Sequence, residues 1–238
     1  MIASPQNEKL KLVRKLRDRK HREREGLFAT EGEDLVEAGL AAGLEPRFLL
    51  TAAGSGLGGE EVEPELLAAT SSLGSGTRAI AVWPLRWSAW PQSPCVYLHG
   101  VGDPGNVGAI LRTAHALLDG PVALGPGCAD PFSPKAVRAS MGSVFARPPV
   151  RAELGETPTP RAALVAHGGA GLEALEGVAT LCLGAEREGL PGEALAQCEV
   201  EATIPLRSGA ESLNVAAAAA IACERISSAA MPEARPDA

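Results

Sequence analysis

The stretch IPLRSGAESLNVAAAAAIACER, Ile204 to Arg225, decides how the chain is read. A short apolar entry, Ile204-Pro205-Leu206, leads into a small polar loop, Arg207 to Ser212. Leu213-Asn214-Val215 follows, and the run Ala216 to Ala220 predicts a helix. A polar loop between a strand end and a helix start collects backbone N–H groups that lack partners in the chain, so it is a natural ligand cradle. Ser212 and Asn214 stand at the helix start, where they can cap the helix or hold a substrate; in isolation, capping alone accounts for them.

Working outward, 238 residues are enough for one large or two modest domains. The chain is 45% apolar and rich in Gly and Ala, as in α/β proteins. Aromatics make up only 3%, which argues against the stacking platforms of aromatic-rich single-strand binders. No segment approaches the roughly 20 apolar residues of a membrane helix. The opening MIASPQNEKLKL lacks the apolar core of a signal peptide. A cytoplasmic protein with no membrane partner is expected. Cys95, Cys128, Cys182, Cys198 and Cys223 include no CxxC spacing, so the expectation is reduced, mostly buried thiols and no metal site.

The net charge of −7 argues at first against nucleic acid, but its distribution does not. Glu8 to Glu25 carry nine of the 22 Lys+Arg and four of the 29 Asp+Glu, leaving 13 basic against 25 acidic residues elsewhere, a net −12. A basic segment on an acidic body suggests a local phosphate-binding surface. A solvated, charge-rich helix is the plainer alternative.

Asn7 to Arg24 predicts one helix, with Leu10, Val13 and Leu16 at three-residue spacing. Leu35 to Leu40 predicts a second, ended near Gly43. Arg47–Thr51 and Ala79–Trp83 read as strands, Ala52–Gly59 as a surface loop and Pro64–Ala69 as a short helix. The stretch PLRWSAWPQSP, Pro84 to Pro94, holds three prolines and two tryptophans, and marks a domain boundary: residues 1–90, then 91–238. Its tryptophans either pack the linker onto a domain or stack RNA bases. Beyond it, strands are expected at Cys95–Leu98, Pro121–Leu124, Val144–Arg147, Arg161–Ala166, Val178–Leu183 and Ala202–Ile204. Helices are expected at Asn106–Leu118, Ser133–Ser140, Glu193–Gln197 and Leu213–Ile226, with a frayed tail from Ala230. The alternation implies an α/β fold with a mostly parallel sheet covered on both faces, preceded by a small N-terminal α/β domain.

Two further motifs carry polar groups. In DPGNVGAILRTA, Asp103 to Ala114, Pro104-Gly105 shapes a turn and the helix starts near Asn106 or Val107. Arg112 lies about 9 Å along it from Asn106, so the two could flank one substrate group. An N-cap and an ordinary surface arginine are the alternative. In LCLGAEREGLP, Leu181 to Pro191, a strand ends at Gly184 and Glu186 and Glu188 follow in a Gly-flanked turn. A strand's carboxyl end is the usual ligand position in open α/β sheets, and the glycines would let a ligand approach the backbone. No P-loop or GxGxxG is present. His21 belongs with the basic face. His99 and His115 read as structural, His167 lies at a strand end, and no His/Cys/Asp grouping suggests hydrolysis.

Together the three motifs read Asn-x-Gly-x-x-x-Arg-x-Ala, Leu-Gly-x-Glu-x-x-Gly and Ile-Pro…Ser-Leu-Asn-Val. In wording and order they resemble the SpoU/TrmH family of RNA ribose methyltransferases, and PGCADPFSPKAVRASMGSVF, Pro126 to Phe145, is similar to the family as well. The resemblance covers Tyr97 to Ile226. Asn7 to Val36, with REREGLFATEGEDLV, resembles the small ribosomal-protein-like substrate-binding domain that many members carry. The resemblance implies a deep trefoil knot in the C-terminal (SPOUT) domain, a rare exception to the rule against threaded chains. It further implies a homodimer formed through that domain, S-adenosyl-L-methionine as cofactor, and methylation of a ribose 2′-hydroxyl. It assigns Gly184, Ile204 and Leu213 to the cofactor, with Leu183, Leu206 and Ala218 nearby, and Asn106, Arg112, Glu186, Ser212 and Asn214 to the reacting centre. A guanidinium is a poor free base, so Arg112 is expected to clamp phosphate or polarise the hydroxyl, with Glu186 orienting Arg112 or Asn106. Lys9, Lys11, Arg14, Arg17, Arg19 and Arg22 would then face RNA, ribosomal RNA being favoured over tRNA. The rival expectations are a non-catalytic RNA-binding or ribosome-assembly factor on the same fold, and methylation of a base.

Overall fold

The computed structural model describes residues 1–72, 76–209 and 211–230. Of the tail expected to fray from Ala230, residue 230 ends the last helix and 231–238 lie outside the described residues, as does Ala210 of the polar loop. Among the described residues, the N-terminal unit runs α1 (Glu8–Lys15), α2 (Arg19–Glu25), β1 (Leu27–Glu31), α3 (Glu33–Ala41), β2 (Phe48–Ala52), β3 (Glu60–Val62), α4 (Pro64–Thr70) and β4 (Ala79–Pro84). Its sheet has the order β1-β4-β2-β3; β4 is antiparallel to both neighbours and β2 is parallel to β3.

Strand β4 shows why this unit folds against the rest of the chain. Every residue from Ala79 to Trp83 is buried, with side chains alternating between two cores. Ile80 and Val82 join Leu10, Val13, Leu16, Leu50 and Leu67 under α1 and α4. Ala79, Ala81 and Trp83 face the other way and join Phe28 with Phe132, Val137, Val144 and Phe145 of the C-terminal unit. That second core is an aromatic cluster: Phe28–Phe132, Phe28–Phe145 and Trp83–Phe145 ring centroids lie 5.1, 5.6 and 5.0 Å apart.

The C-terminal unit runs β5 (Cys95–Leu98), α5 (Pro104–Leu118), β6 (Val122–Leu124), α6 (Pro134–Ser140), α7 (Ser143–Ala146), β7 (Val150–Arg151), β8 (Arg161–Leu164), β9 (Thr180–Leu183), α8 (Gly192–Leu195), β10 (Val200–Ala202) and α9 (Val215–Ala230). The sheet order is β10-β8-β9-β5-β6-β7 and every pairing is parallel, as the alternation implied. The central strands β5 and β9 are buried throughout. Helix α5 packs on α6 so closely that a Cβ at Gly108 would lie 2.2 Å from the Ala136 carbonyl oxygen. Ala219, Ala222 and Cys223 of α9 are fully buried in the core under α5.

Three expectations are corrected. The single helix over Asn7–Arg24 is two, broken at Leu16–Asp18. Arg22 stabilises the break: its Nη1 donates to the Leu16 and Arg17 carbonyls (2.7 and 2.6 Å), while Nε and Nη2 donate to Asp130 Oδ2 (2.9 and 2.6 Å). Val144–Arg147 is not a strand. Met141 and Gly142 adopt left-handed backbone (φ 46° and 87°), the chain turns into α7, and Val144 and Phe145 fill the aromatic cluster; the short edge strand is Val150–Arg151 instead. Strands β1 and β3 lie where none was expected. In the linker, Trp87 packs edge-on against Phe132, whereas Trp90 is 61% exposed.

Arg22 and Asp130 join the two units through an ion pair whose side chains are 4% and 12% exposed. Removing one partner strands the other in a poorly hydrated site. Asp130→Ala or Arg22→Met is therefore expected to lower unfolding free energy by about 3 kcal/mol in a urea titration; a loss below about 1 kcal/mol would contradict a linking role.

Candidate active site

The site forms where the carboxyl ends of β5, β9 and β10 release their loops. Asp103 caps α5: Oδ1 accepts the Asn106 backbone N–H (3.0 Å), and Pro104 occupies the first helical turn. The helix thus starts at Pro104, earlier than expected. Lys135 Nζ bonds Asp103 Oδ2 at 2.5 Å, and with the Asn106 backbone N–H it holds the Asp103 carboxyl below the usual range. A depressed folded-state pKa means that the cap contributes in full above the ordinary aspartate pKa and fades as pH falls through the lower value.

The cap sets Asn106 in the first turn, with its amide pointing outward. Asn106 Nδ2 donates to Glu186 Oε1 at 2.8 Å, and Asn106 Oδ1 accepts from Asn214 Nδ2 at 3.1 Å. Asn214 in turn caps α9, its Oδ1 accepting the N–H groups of Ala216 and Ala217 (2.9 and 3.3 Å). One residue from each motif therefore enters a single hydrogen-bonded chain, Glu186–Asn106–Asn214. It lies on an open cleft of about 680 Å³ bounded also by Gly100, Gly102 and Asp103. Asn214 both caps its helix and bonds across the site. Ser212 makes no hydrogen bond among the described residues.

A second cavity, of about 400 Å³, lies between the ends of β8 and β9 and the start of α9. Leu183, Gly184, Ile204, Leu206, Leu213 and Ala218 all line it, and Ser212 stands beside them. Ala185, Glu186 and Arg187 belong to both cavities, so the two share a wall. His167, which the sequence reading left at a strand end, also lines the second cavity. Gly184 lines the cavity and is also needed by the loop itself: a Cβ there would lie 2.0 Å from the Gly189 carbonyl carbon. That approach is made by the loop's own far limb, pinned by paired backbone bonds between Ala185 and Gly189 (3.1 and 2.9 Å).

Arg112 is not brought to this cluster. It lines neither cavity, is exposed, and its side chain has no hydrogen-bond or ion-pair partner among the described residues. Six residues along α5 rotate it roughly 240° from Asn106, so the two do not flank one group within a single chain. Glu186 orients Asn106, not Arg112.

The basic segment is largely occupied. Lys9 pairs with Glu60, Lys11 with Glu8 and Arg19 with Glu23. Arg14 bonds the Leu10 and Pro5 carbonyls and Arg17 the Thr70 carbonyl. Arg17 and Arg19 are exposed; Arg22, buried between the units, is withdrawn from any RNA-facing set. His21 is not an open part of that face either: its Nδ1 is buried with no partner among the described residues. His115 Nδ1 meets Ser143 Oγ at 3.1 Å, a structural contact. Burial raises the thiols of Cys95 and Cys128, and that of Cys223 to about 12, so at neutral pH these three are protonated and poor nucleophiles.

The geometry agrees with comparisons to known proteins. Residues 93–224 match the SpoU rRNA Methylase family and residues 7–81 the MRM3-like substrate binding domain. A tRNA/rRNA methyltransferase of Mycobacterium bovis, itself uncharacterised, is 40% identical over 139 residues; the match covers 52% of this chain and about half (48%) of that relative's length. A 23S rRNA (guanosine(2553)-2′-O)-methyltransferase of Bacillus subtilis is 31% identical over 92% of this chain and 96% of its own. The crystal structure of an AdoMet-bound rRNA methyltransferase from Sinorhizobium meliloti superposes with a TM-score of 0.84 at 29% identity, covering 94% of this chain and 95% of that one. With the family model spanning more than half of its residues, and the three motifs joined at Asn106, the chain belongs to the SpoU rRNA methylase family.

Proposed function

We propose that this chain transfers the methyl group of S-adenosyl-L-methionine to a ribose 2′-hydroxyl of RNA, with ribosomal RNA as the substrate in preference to tRNA. The observation that carries this is the meeting of three sequence-distant motifs at Asn106, on a wall shared with the cavity that Leu183, Ile204 and Leu213 line. The Bacillus subtilis relative, named as a 23S rRNA 2′-O-methyltransferase, supports the choice of ribosomal RNA.

The cavity lining fits that cofactor. Leu183, Ile204, Leu206, Leu213 and Ala218 would offer apolar faces to its purine ring, and the shared wall carries one charge of each sign, Glu186 and Arg187. When bound, S-adenosylmethionine supplies a methyl group already activated on sulfonium. The protein's work is then to place a weakly acidic hydroxyl and ease its deprotonation. Asn106, fixed at both ends of its amide, and Asn214 position the ribose; Glu186 fixes Asn106. Arg112 clamps a phosphate or polarises the hydroxyl, and a phosphate takes the proton. Because Arg112 lies away from Asn106 in its own chain, it meets the ribose from a second copy, and a homodimer through the C-terminal domain is part of this proposal. So are residues 1–90 as RNA-binding domain, residues 91–238 as methyltransferase domain, and the trefoil knot around the loop that precedes α9. The connected polar set favours the enzyme over a non-catalytic assembly factor.

With RNA and cofactor both saturating, Arg112→Ala is expected to cut turnover of ribosomal RNA about 100-fold; near-normal turnover would remove Arg112 from the reaction. Asn214→Ala is expected to cost about 1 kcal/mol of stability through the lost cap and to lower kcat as well. Titration calorimetry with S-adenosylmethionine should show saturable binding, abolished by Leu213→Asp; no heat with the wild-type chain would favour the assembly-factor alternative. Charge reversal at Arg17 and Arg19 should weaken RNA binding and flatten its salt dependence; unchanged binding across salt concentrations would remove these two arginines from the RNA-facing set.

A further inference from the structure

A third cavity, of about 620 Å³, opens at the carboxyl ends of β6 and β7, where α2 of the N-terminal unit meets the sheet. The proposed reaction does not use it. Trp87 forms its apolar wall, held edge-on against Phe132 at 5.1 Å between centroids. Arg151, at the end of β7, lies over the Trp87 ring with its guanidinium carbon 4.2 Å from the ring centroid. One guanidinium face is thus covered, yet the side chain remains 58% exposed, so the opposite face is open. Its plane is held in place: Arg151 Nη2 bonds Glu23 Oε1 at 3.3 Å, and the same oxygen accepts Arg19 Nε at 3.0 Å.

The charges around the cavity do not make a phosphate trap. Asp130 is neutralised by Arg22, Glu23 is shared between Arg19 and Arg151, and Glu153 and Glu156 add two carboxylates on the far rim. The latter two are turned onto each other's backbone, Glu153 N–H donating to Glu156 Oε2 at 2.7 Å. A flat, uncharged ring suits such a place. It can stack on the open guanidinium face and direct its N–H groups at carboxylate acceptors.

The cavity also adjoins the reaction cleft. Gly127 lines the third cavity and Gly100 the first, and they touch: a Cβ on Gly127 would sit 3.1 Å from Gly100 Cα, and Gly100 N–H donates to the Pro126 carbonyl at 2.8 Å. A single thickness of backbone separates the two spaces.

We propose that this cavity takes one unpaired nucleobase of the RNA substrate, a near neighbour of the nucleotide held at Asn106, stacked on the open face of Arg151 above Trp87. The proposal rests on RNA being the substrate. It makes the cleft between the two units a reader of single-stranded context: a neighbour locked in a duplex cannot reach Arg151, so a target in an unpaired loop is favoured.

The full-length protein can be titrated against fluorescein-labelled decamers of A, C and U by fluorescence anisotropy. The wild type is expected to bind, and Arg151→Ala to weaken binding about tenfold, within the range for loss of one base stack. Arg151→Lys keeps the charge and loses the plane, and is expected to weaken binding nearly as much. A U decamer carrying 5-iodouracil should photo-crosslink, in the wild-type protein, to the peptide that contains Trp87 or Arg151. Full affinity in Arg151→Lys would show a merely electrostatic contact and overturn the proposal, as would crosslinks that map elsewhere or a wild type that binds none of the decamers. The two levels separate cleanly. Methyl transfer to ribosomal RNA with an unchanged KM in Arg151→Ala sinks the base subsite and leaves the methyltransferase standing. A crosslink at Trp87 with no methyl transfer to any RNA does the reverse.

Discussion

Parallel pairing of β5 with β9 sets Leu98 beside Leu183, and from that register the site follows. The next residue along β5, His99, donates its N–H to the Leu183 carbonyl at 2.9 Å, and Gly100 then runs against Ala185. The loops after the two strands are therefore neighbours before any side chain is considered. Asp103 starts α5 from one loop, Glu186 rises from the other, and Asn106 closes the gap between them. Because strands in a parallel sheet all end on the same side, β8 and β10 deliver their loops there too, and the chain returning from β10 brings Asn214 onto the far end of the Asn106 amide. A one-residue slip in the β5–β9 register would turn the buried side chains of one of these strands to the opposite face and shift its loop along the sheet edge.

The same end of the sheet carries the interface with the N-terminal unit. Strand β4 divides alternate side chains between two cores, and the second of them, with Phe28 and Trp83 against Phe132 and Phe145, is the bond between the units. Arg22 and Asp130 add an ion pair at the edge of that contact. A tethered domain would let RNA engage each unit independently. Here the packing holds α2 at a fixed place beside β6 and β7, which is why a cavity between units can have a defined shape and a defined neighbour across the Gly100–Gly127 contact.

Much of this was legible in the residues. The parallel α/β plan follows from alternating apolar runs and helical periods, and the three motifs announce themselves because small, polar and acidic residues cluster where strands end. Their convergence on Asn106 was open to inference only through the family resemblance, since no local pattern places residues 106, 186 and 214 together. Other features had no local signal at all. Among nine basic residues between Glu8 and Glu25, nothing in the sequence sets Arg22 apart; its burial depends on a carboxylate more than a hundred positions away. Val144 and Phe145 have the composition of a strand, yet a left-handed turn at Met141–Gly142 and packing against Phe28 and Trp83 make them helical. The helix start at Pro104 is a different case: Asp103-Pro104 is a local capping signal, two residues before the start expected at Asn106.

The central claim is that the hydrogen-bonded set on Asn106 serves ribose methylation of RNA. The most direct measurement is a ribose-methylation map of total RNA from cells with and without the gene, with a third strain carrying Asn106→Ala. One 2′-O-methyl mark in ribosomal RNA, lost on deletion and not restored by the Asn106→Ala chain, is the expected result. Identical maps in all three strains would contradict it.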